Sequence, residues 1–190
     1  MLPLIPSEPR DRSISLLALL ALQTARFSCF CNRLTEHSLL GLGSLMTLVV
    51  VSQVFCRYVL NSSLFWSEEL ARYLLVWLTF LGAAVAYWRG MHPGVDLIYS
   101  RLGSHAKLFN RLLVHLLCLF FFFIIIRYGI EFAYFVRLQT TPALMLPKWI
   151  IFSIIPASGL LLSLHGLAML LFELCPGKVQ DEIKTRIGKK

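Results

Sequence analysis

Four long uncharged runs, each fenced by charged or titratable residues, limit what this chain can fold into more than any motif does. Residues 38–56 hold 19 uncharged residues between His37 and Arg57, and residues 73–88 hold 16 between Arg72 and Arg89. Residues 112–126 hold 15 between Arg111 and Arg127, and residues 149–172 hold 24. About 20 apolar residues in a helix cross the roughly 30 Å of hydrocarbon in a bilayer. Inside lipid every backbone polar group must be paired within the chain, so each run has to be a helix or part of a closed barrel. Runs of this length are far longer than barrel strands and predict helices.

Composition agrees. Of 190 residues, 57% are hydrophobic and 15% charged, where soluble domains carry about a quarter charged. The formal net charge of +8 does not point to nucleic acid, because a membrane protein gathers Lys and Arg in its cytoplasmic loops. The five cysteines are scattered. Cys56 and Cys118 sit in apolar runs, where a thiol behaves as a small hydrophobe, and Cys29 with Cys31 lacks a second pair to complete a metal site. No metal site and no cofactor is expected.

The expected fold is an all-α integral membrane protein: four transmembrane helices plus an N-terminal interfacial helix, both termini cytoplasmic. Residues 1–36 form a tail and the interfacial amphipathic helix. Residues 37–175 form the membrane domain, with spans at about 38–60, 67–89, 108–136 and 148–173, and residues 176–190 form a basic tail. The second span is long enough only if its helix starts near Ser67, and Pro156 should kink the fourth. In the N-terminal segment, Leu16, Leu19, Leu20 and Phe27 would face lipid, with Arg26 and Arg33 toward headgroups. A secretory signal fits less well, since a cut after Ala25 leaves Gln23 where a small residue is wanted. An even number of spans puts both termini on one side. That side, with the loop between spans two and three, carries 13 of the 18 Lys and Arg residues, and the positive-inside rule makes it cytoplasmic.

Charge placement gives the candidate site. In "FWSEELAR" (65–72), Ser67 is a candidate N-cap that sets Glu68 and Glu69 in the first turn, facing the positive end of the helix dipole. Arg72 is placed to pair with either glutamate, and Trp66 suits the headgroup belt. Arg57 and Asn61 close the first span on the same face. These residues read either as a well-capped helix entry, tied together as a polar cluster, or as a subunit contact, since charges at membrane depth usually face protein or water. No nucleophile stands beside a base, so an enzyme is not expected. At the other end of span two, His92 and Asp96 flank a Pro-Gly and would stabilise a turn. Gly82 and Ala86 in span two, and Gly159 and Ser163 in span four, mark close helix packing. His115 and His165 fall at similar depth on antiparallel spans, which leaves a haem b-bearing membrane anchor of a respiratory enzyme as the alternative function.

The stretch 57–98 carries four ordered blocks: R-Y-V-x-N, W-x-E-E-L-A-R, V-W-L-x-F-L-G-A-A and R-G-x-H-x-x-V-D. In order and spacing they resemble the small membrane subunit, DctQ type, of tripartite ATP-independent periplasmic (TRAP) transporters. The resemblance implies a multi-pass protein of the bacterial inner membrane, one part of a secondary transport system for organic acid uptake. It implies import of an organic anion, such as a carboxylate, driven by a sodium gradient. The implied partners are a large membrane subunit, which holds the substrate and sodium sites, and a periplasmic substrate-binding protein. This subunit would be the scaffold. By the same resemblance Arg57, Asn61, Trp66, Glu68, Glu69 and Arg72 are interface or docking candidates, and His92 and Asp96 fix the cytoplasmic turn.

Overall fold

A computed structural model describes residues 12–90 and 104–175. They form five helices: α1 (Arg12–Tyr58), α2 (Phe65–Trp88), α3 (Ser104–Phe135), α4 (Lys148–Phe152) and α5 (Ile154–Leu174). Four stretches are long and apolar enough to cross a membrane: Ala18–Tyr58, Phe65–Trp88, Phe109–Phe135 and the α4–α5 pair over Lys148–Leu174. The all-α, four-span reading therefore holds.

The N-terminal helix and the first span, which the sequence reading separates near residue 37, are one continuous rod of 47 residues, about 70 Å long. No proline lies between Arg12 and Tyr58 to break it. Four of its hydroxyls are satisfied without leaving the helix. Thr24, Thr35, Ser38 and Thr47 each donate to the carbonyl four residues earlier, at 2.8–3.0 Å. Along this lower half, buried Ala21 packs with Cys175, Leu171 and Phe172 of the α5 end. The two ends of the described chain thus lie at the same end of the bundle.

Two residues with positive φ stop the first two spans. Asn61 (φ 49°) turns the chain after α1 while the Ser62 amide bonds back to the Cys56 carbonyl at 3.0 Å. Gly90 (φ 64°) ends α2, its amide donating to Tyr87 at 3.0 Å. Both side chains tolerate the left-handed conformation, glycine for want of a Cβ and asparagine through local hydrogen bonding. The fourth span breaks at Ser153. Pro156 has no N–H to give to the Phe152 carbonyl four residues earlier, which is the expected cause of a kink.

α5 is the centre of the bundle and contacts α1, α2 and α3. Its seam with α3 is cut close by glycine. A Cβ on Gly159 would come within 2.8 Å of Ile126 Cγ1, one on Gly166 within 3.0 Å of Leu119, and one on Gly129 of α3 within 3.0 Å of Ile155. Without side chains there, the helix backbones approach and gain dispersion contact, the main attraction available between helices in lipid. Ala84, Tyr87, Phe122 and Leu162 close the core, with Tyr87 edge-on to Phe122 at 5.1 Å.

Candidate functional site

The charged doorway of α2 folds differently from its local reading. Leu64, extended at φ −88°, is the N-cap and contributes no side-chain bond. The helix starts at Phe65, two residues before Ser67. Ser67 is fully buried and its hydroxyl donates to the Leu64 carbonyl at 2.7 Å. This corrects its expected role as cap: inside the first turn, a serine hydroxyl reaches back to a carbonyl instead of forward to an amide. Glu68 remains in the first turn, and Glu69 lies just beyond it.

The two glutamates then take separate partners. Glu68 accepts from Gln53 Nε2 of α1 at 3.2 Å, so the α1–α2 tie at this end runs through Gln53. Arg57 and Asn61, expected in that tie, are exposed. Glu69 accepts the Tyr73 hydroxyl at 2.6 Å through Oε1. Through Oε2 it accepts the amides of Ala143 at 2.7 Å and Leu144 at 3.3 Å. Among the described residues neither glutamate pairs with Arg72. The Glu69 carboxylate is filled by two backbone amides and a phenol, a set of fixed donors that needs no side-chain ordering from a long arginine. Arg72 and Trp66 are both left exposed.

The segment that Glu69 holds, between α3 and α4, is a closed turn. The Thr141 amide donates to the Leu146 carbonyl at 2.9 Å, and the Leu146 amide returns a bond to Thr141 Oγ1 at 3.0 Å. The Lys148 amide donates to Gln139 at 2.9 Å. Thr141 is fully buried at its hub. A second tie joins α2 to the same region, where Trp77 Nε1 donates to the Ile151 carbonyl at 3.0 Å. Sequence reasoning missed Gln53, Tyr73, Trp77 and Thr141 as partners. The flanking Pro142 and Pro147 signal a turn, yet nothing local says which carboxylate it meets.

At the opposite end, Arg89 pairs with Glu36 of α1 at 2.9 Å, and Asn32 donates to the same carboxylate oxygen at 2.6 Å. Buried His165 on α5 is joined through Nδ1 to the Ser28 hydroxyl of α1, and its ring lies 5.1 Å from that of Trp88. His115 is on α3 and half-buried. His92 and Asp96 lie outside the described residues. Of the expected packing residues, Gly159 is buried against α3, whereas a Cβ on Gly82 would meet nothing within 4 Å. Ala86 and Ser163 are half-buried.

The family described as "Tripartite ATP-independent periplasmic transporters, DctQ component" matches residues 46–175, which takes in the upper part of α1 and everything through α5. A TRAP transporter small permease protein of Haemophilus influenzae is 30% identical over 97 residues, 51% of this chain and 60% of that protein. The C4-dicarboxylate TRAP transporter small permease protein DctQ of Rhodobacter capsulatus is 32% identical over 102 residues, 53% of this chain and 45% of that protein. The sialic acid TRAP transporter permease protein SiaT of Haemophilus influenzae is 33% identical over 83 residues, 44% of this chain and only 14% of that protein. The matched part of the chain therefore spans less than two thirds of the length of each of these relatives.

Proposed function

Because the chain belongs to the DctQ component family of tripartite ATP-independent periplasmic transporters, we propose that it is the scaffold beside a large permease subunit, and that the complex imports an organic anion. It is a small permease subunit, a multi-pass protein of the bacterial inner membrane, and not an enzyme. Family membership takes the place of the haem-anchor alternative built on His115 and His165.

The match to SiaT carries the scaffold reading. There, a segment like this one makes up only 14% of a much longer permease. A short four-span chain of the same kind is expected to meet its large counterpart as a separate subunit. Among the described residues the one broken span parts at Ser153, close to its start and not at its middle, unlike the discontinuous half-helices whose ends line a midplane site in a self-sufficient carrier. Substrate and sodium sites are accordingly assigned to the large subunit, and the sodium gradient drives it.

Sialic acid and C4-dicarboxylates, named for two of the relatives, share a carboxylate, which supports an organic anion as substrate. The 13 basic residues shared by the two termini and the loop between spans two and three support a cytoplasmic position for both termini. The Glu69 end of the bundle then faces the periplasm. There Arg57, Asn61, Trp66, Glu68 and Arg72 stand exposed as docking candidates for the large subunit or for a periplasmic substrate-binding protein, and half-buried Glu69 shapes the same surface through its bonds to Ala143 and Leu144.

Affinity purification of the tagged chain from its native host in mild detergent tests this. A stoichiometric large polytopic membrane protein is expected, with a periplasmic binding protein recovered when substrate is present. Recovery of redox subunits, or of no membrane partner, would overturn it. An Arg72→Glu variant that inserts normally is expected to reduce recovery of one of those two partners.

A further inference from the structure

We infer that the groove between α2 and α3 seats a membrane-spanning helix of the large permease subunit, and that this helix presents a polar or charged group to the Arg127–Glu131 pair on the groove's rim. The inference rests on the assembly reading above and names the surface.

The groove is a cavity of about 450 Å³ lined by Phe80 of α2, by Phe121, Ile124, Tyr128 and Phe132 of α3, and by Ile155 of α5 as its floor. Toward the α2 C-terminal end, Tyr87 of α2 meets Phe122 of α3 edge-on at 5.1 Å. Its lining is apolar, as suits a surface in the hydrocarbon. Its rim is not. Arg127 Nη1 donates to Glu131 Oε2 at 3.1 Å, and these side chains are 63% and 62% exposed. Glu131 shares a helix face with Ile124 and Tyr128, being seven and three residues on.

The height of this pair is fixed by contacts across three helices. Phe80 is at the centre of the uncharged run 73–88 and lines the groove with Tyr128 and Phe132. Phe132 meets Phe152 edge-on at 5.0 Å, and Ile151 beside it takes the Trp77 bond. Residues 128–132 of α3 therefore stand level with residues 77–80 of α2. On α3 itself, whose span is Phe109–Phe135, Arg127 and Glu131 lie eight and four residues from the helix end, inside the span but in its outer third, and their side chains are exposed.

An ion pair at that depth is costly against acyl chains, and intramembrane charges as a rule face protein or water. Acyl chains could fill the apolar groove but offer nothing to its rim. A helix carrying a hydrogen-bonding or charged group at the same height satisfies both. The α2 edge of the groove is built for close approach. Thr79 and Ala83 are exposed, and a Cβ on Gly82 would meet no atom of this chain within 4 Å.

The test uses the full chain expressed with its partners in native membranes. A photo-reactive benzoylphenylalanine is placed at Ile124 or Tyr128 in the groove, and at Leu48 on the exposed face of α1 as control. Cross-linking from the groove positions to the large permease subunit, identified by mass spectrometry, is the expected result. Adducts only with lipid or with a second copy of this chain, while the large subunit still co-purifies, would overturn the groove and leave the assembly reading standing. Failure of the large subunit to co-purify with the unmodified chain would overturn both. The double variant Arg127→Glu/Glu131→Arg keeps an internal i,i+4 pair but reverses what the partner meets. Recovery of the large subunit is expected to fall about tenfold, and unchanged recovery would show that the partner does not read these charges.

Discussion

The Glu69 carboxylate accepts the Ala143 amide at 2.7 Å across 74 residues of sequence. One side chain on the second span thereby sets the shape of the turn that connects the third span to the fourth. Glu69→Ala removes the acceptor for Ala143, Leu144 and the Tyr73 hydroxyl together. Amide hydrogen exchange at Ala143 and Leu144 is expected to speed up roughly tenfold with the helices otherwise unchanged. Unchanged exchange would mean that water serves those amides equally well.

Ser28 and His165 form a buried polar contact between α1 and α5. Ser28→Ala leaves the imidazole without that partner at little change in volume. Hydrogen bonds between membrane helices contribute about 1 kcal/mol, so a small drop in thermal stability in detergent is expected. His165→Ala adds a cavity and should cost more, about 2–4 kcal/mol. With the contact already lost, the double variant is expected to be no less stable than His165→Ala alone.

Gly159 and Gly82 should respond oppositely to a methyl group. Gly159→Ala drives a Cβ to 2.8 Å from Ile126 and 3.1 Å from Ile125, and overpacking of this kind costs about 1–3 kcal/mol. Gly82→Ala meets nothing in this chain and gains up to about 1 kcal/mol of helix propensity. Thermal unfolding of the isolated subunit separates the two. A loss at Gly82 that is seen only in the assembled complex would place a partner helix against that face.

Trp77 ties α2 to the break before α5 by donating to the Ile151 carbonyl at 3.0 Å. Trp77→Phe keeps most of the ring and deletes the donor. A loss of about 0.5–1.5 kcal/mol is expected, together with faster hydrogen exchange in residues 151–155. Exchange confined to its wild-type pattern would show that the break needs only Pro156.

The lengths of the uncharged runs and the charges between them determined the four spans, because hydrocarbon thickness and unpaired backbone groups leave a chain no other choice. The ordered blocks from Arg57 to Asp96 were enough for the family. The kink in the fourth span was legible as well, since proline acts through its own backbone. The N-terminal helix was legible too, but its continuity with the first span was not. No residue there forbids a bend, and the stretch is held along the bundle by tertiary contacts: Ala21 and Ser28 on α5 and Glu36 with Arg89 of α2. The partners of the polar side chains were decided by tertiary structure alone. Arg72 has the right local spacing for Glu69, yet two amides from a distant turn fill that carboxylate. Gly82 and Gly159 look alike in sequence, and only one of them faces a neighbour. Helical geometry fixes which residues share a face; which face meets which helix, and at what height, is set only when the whole bundle is packed.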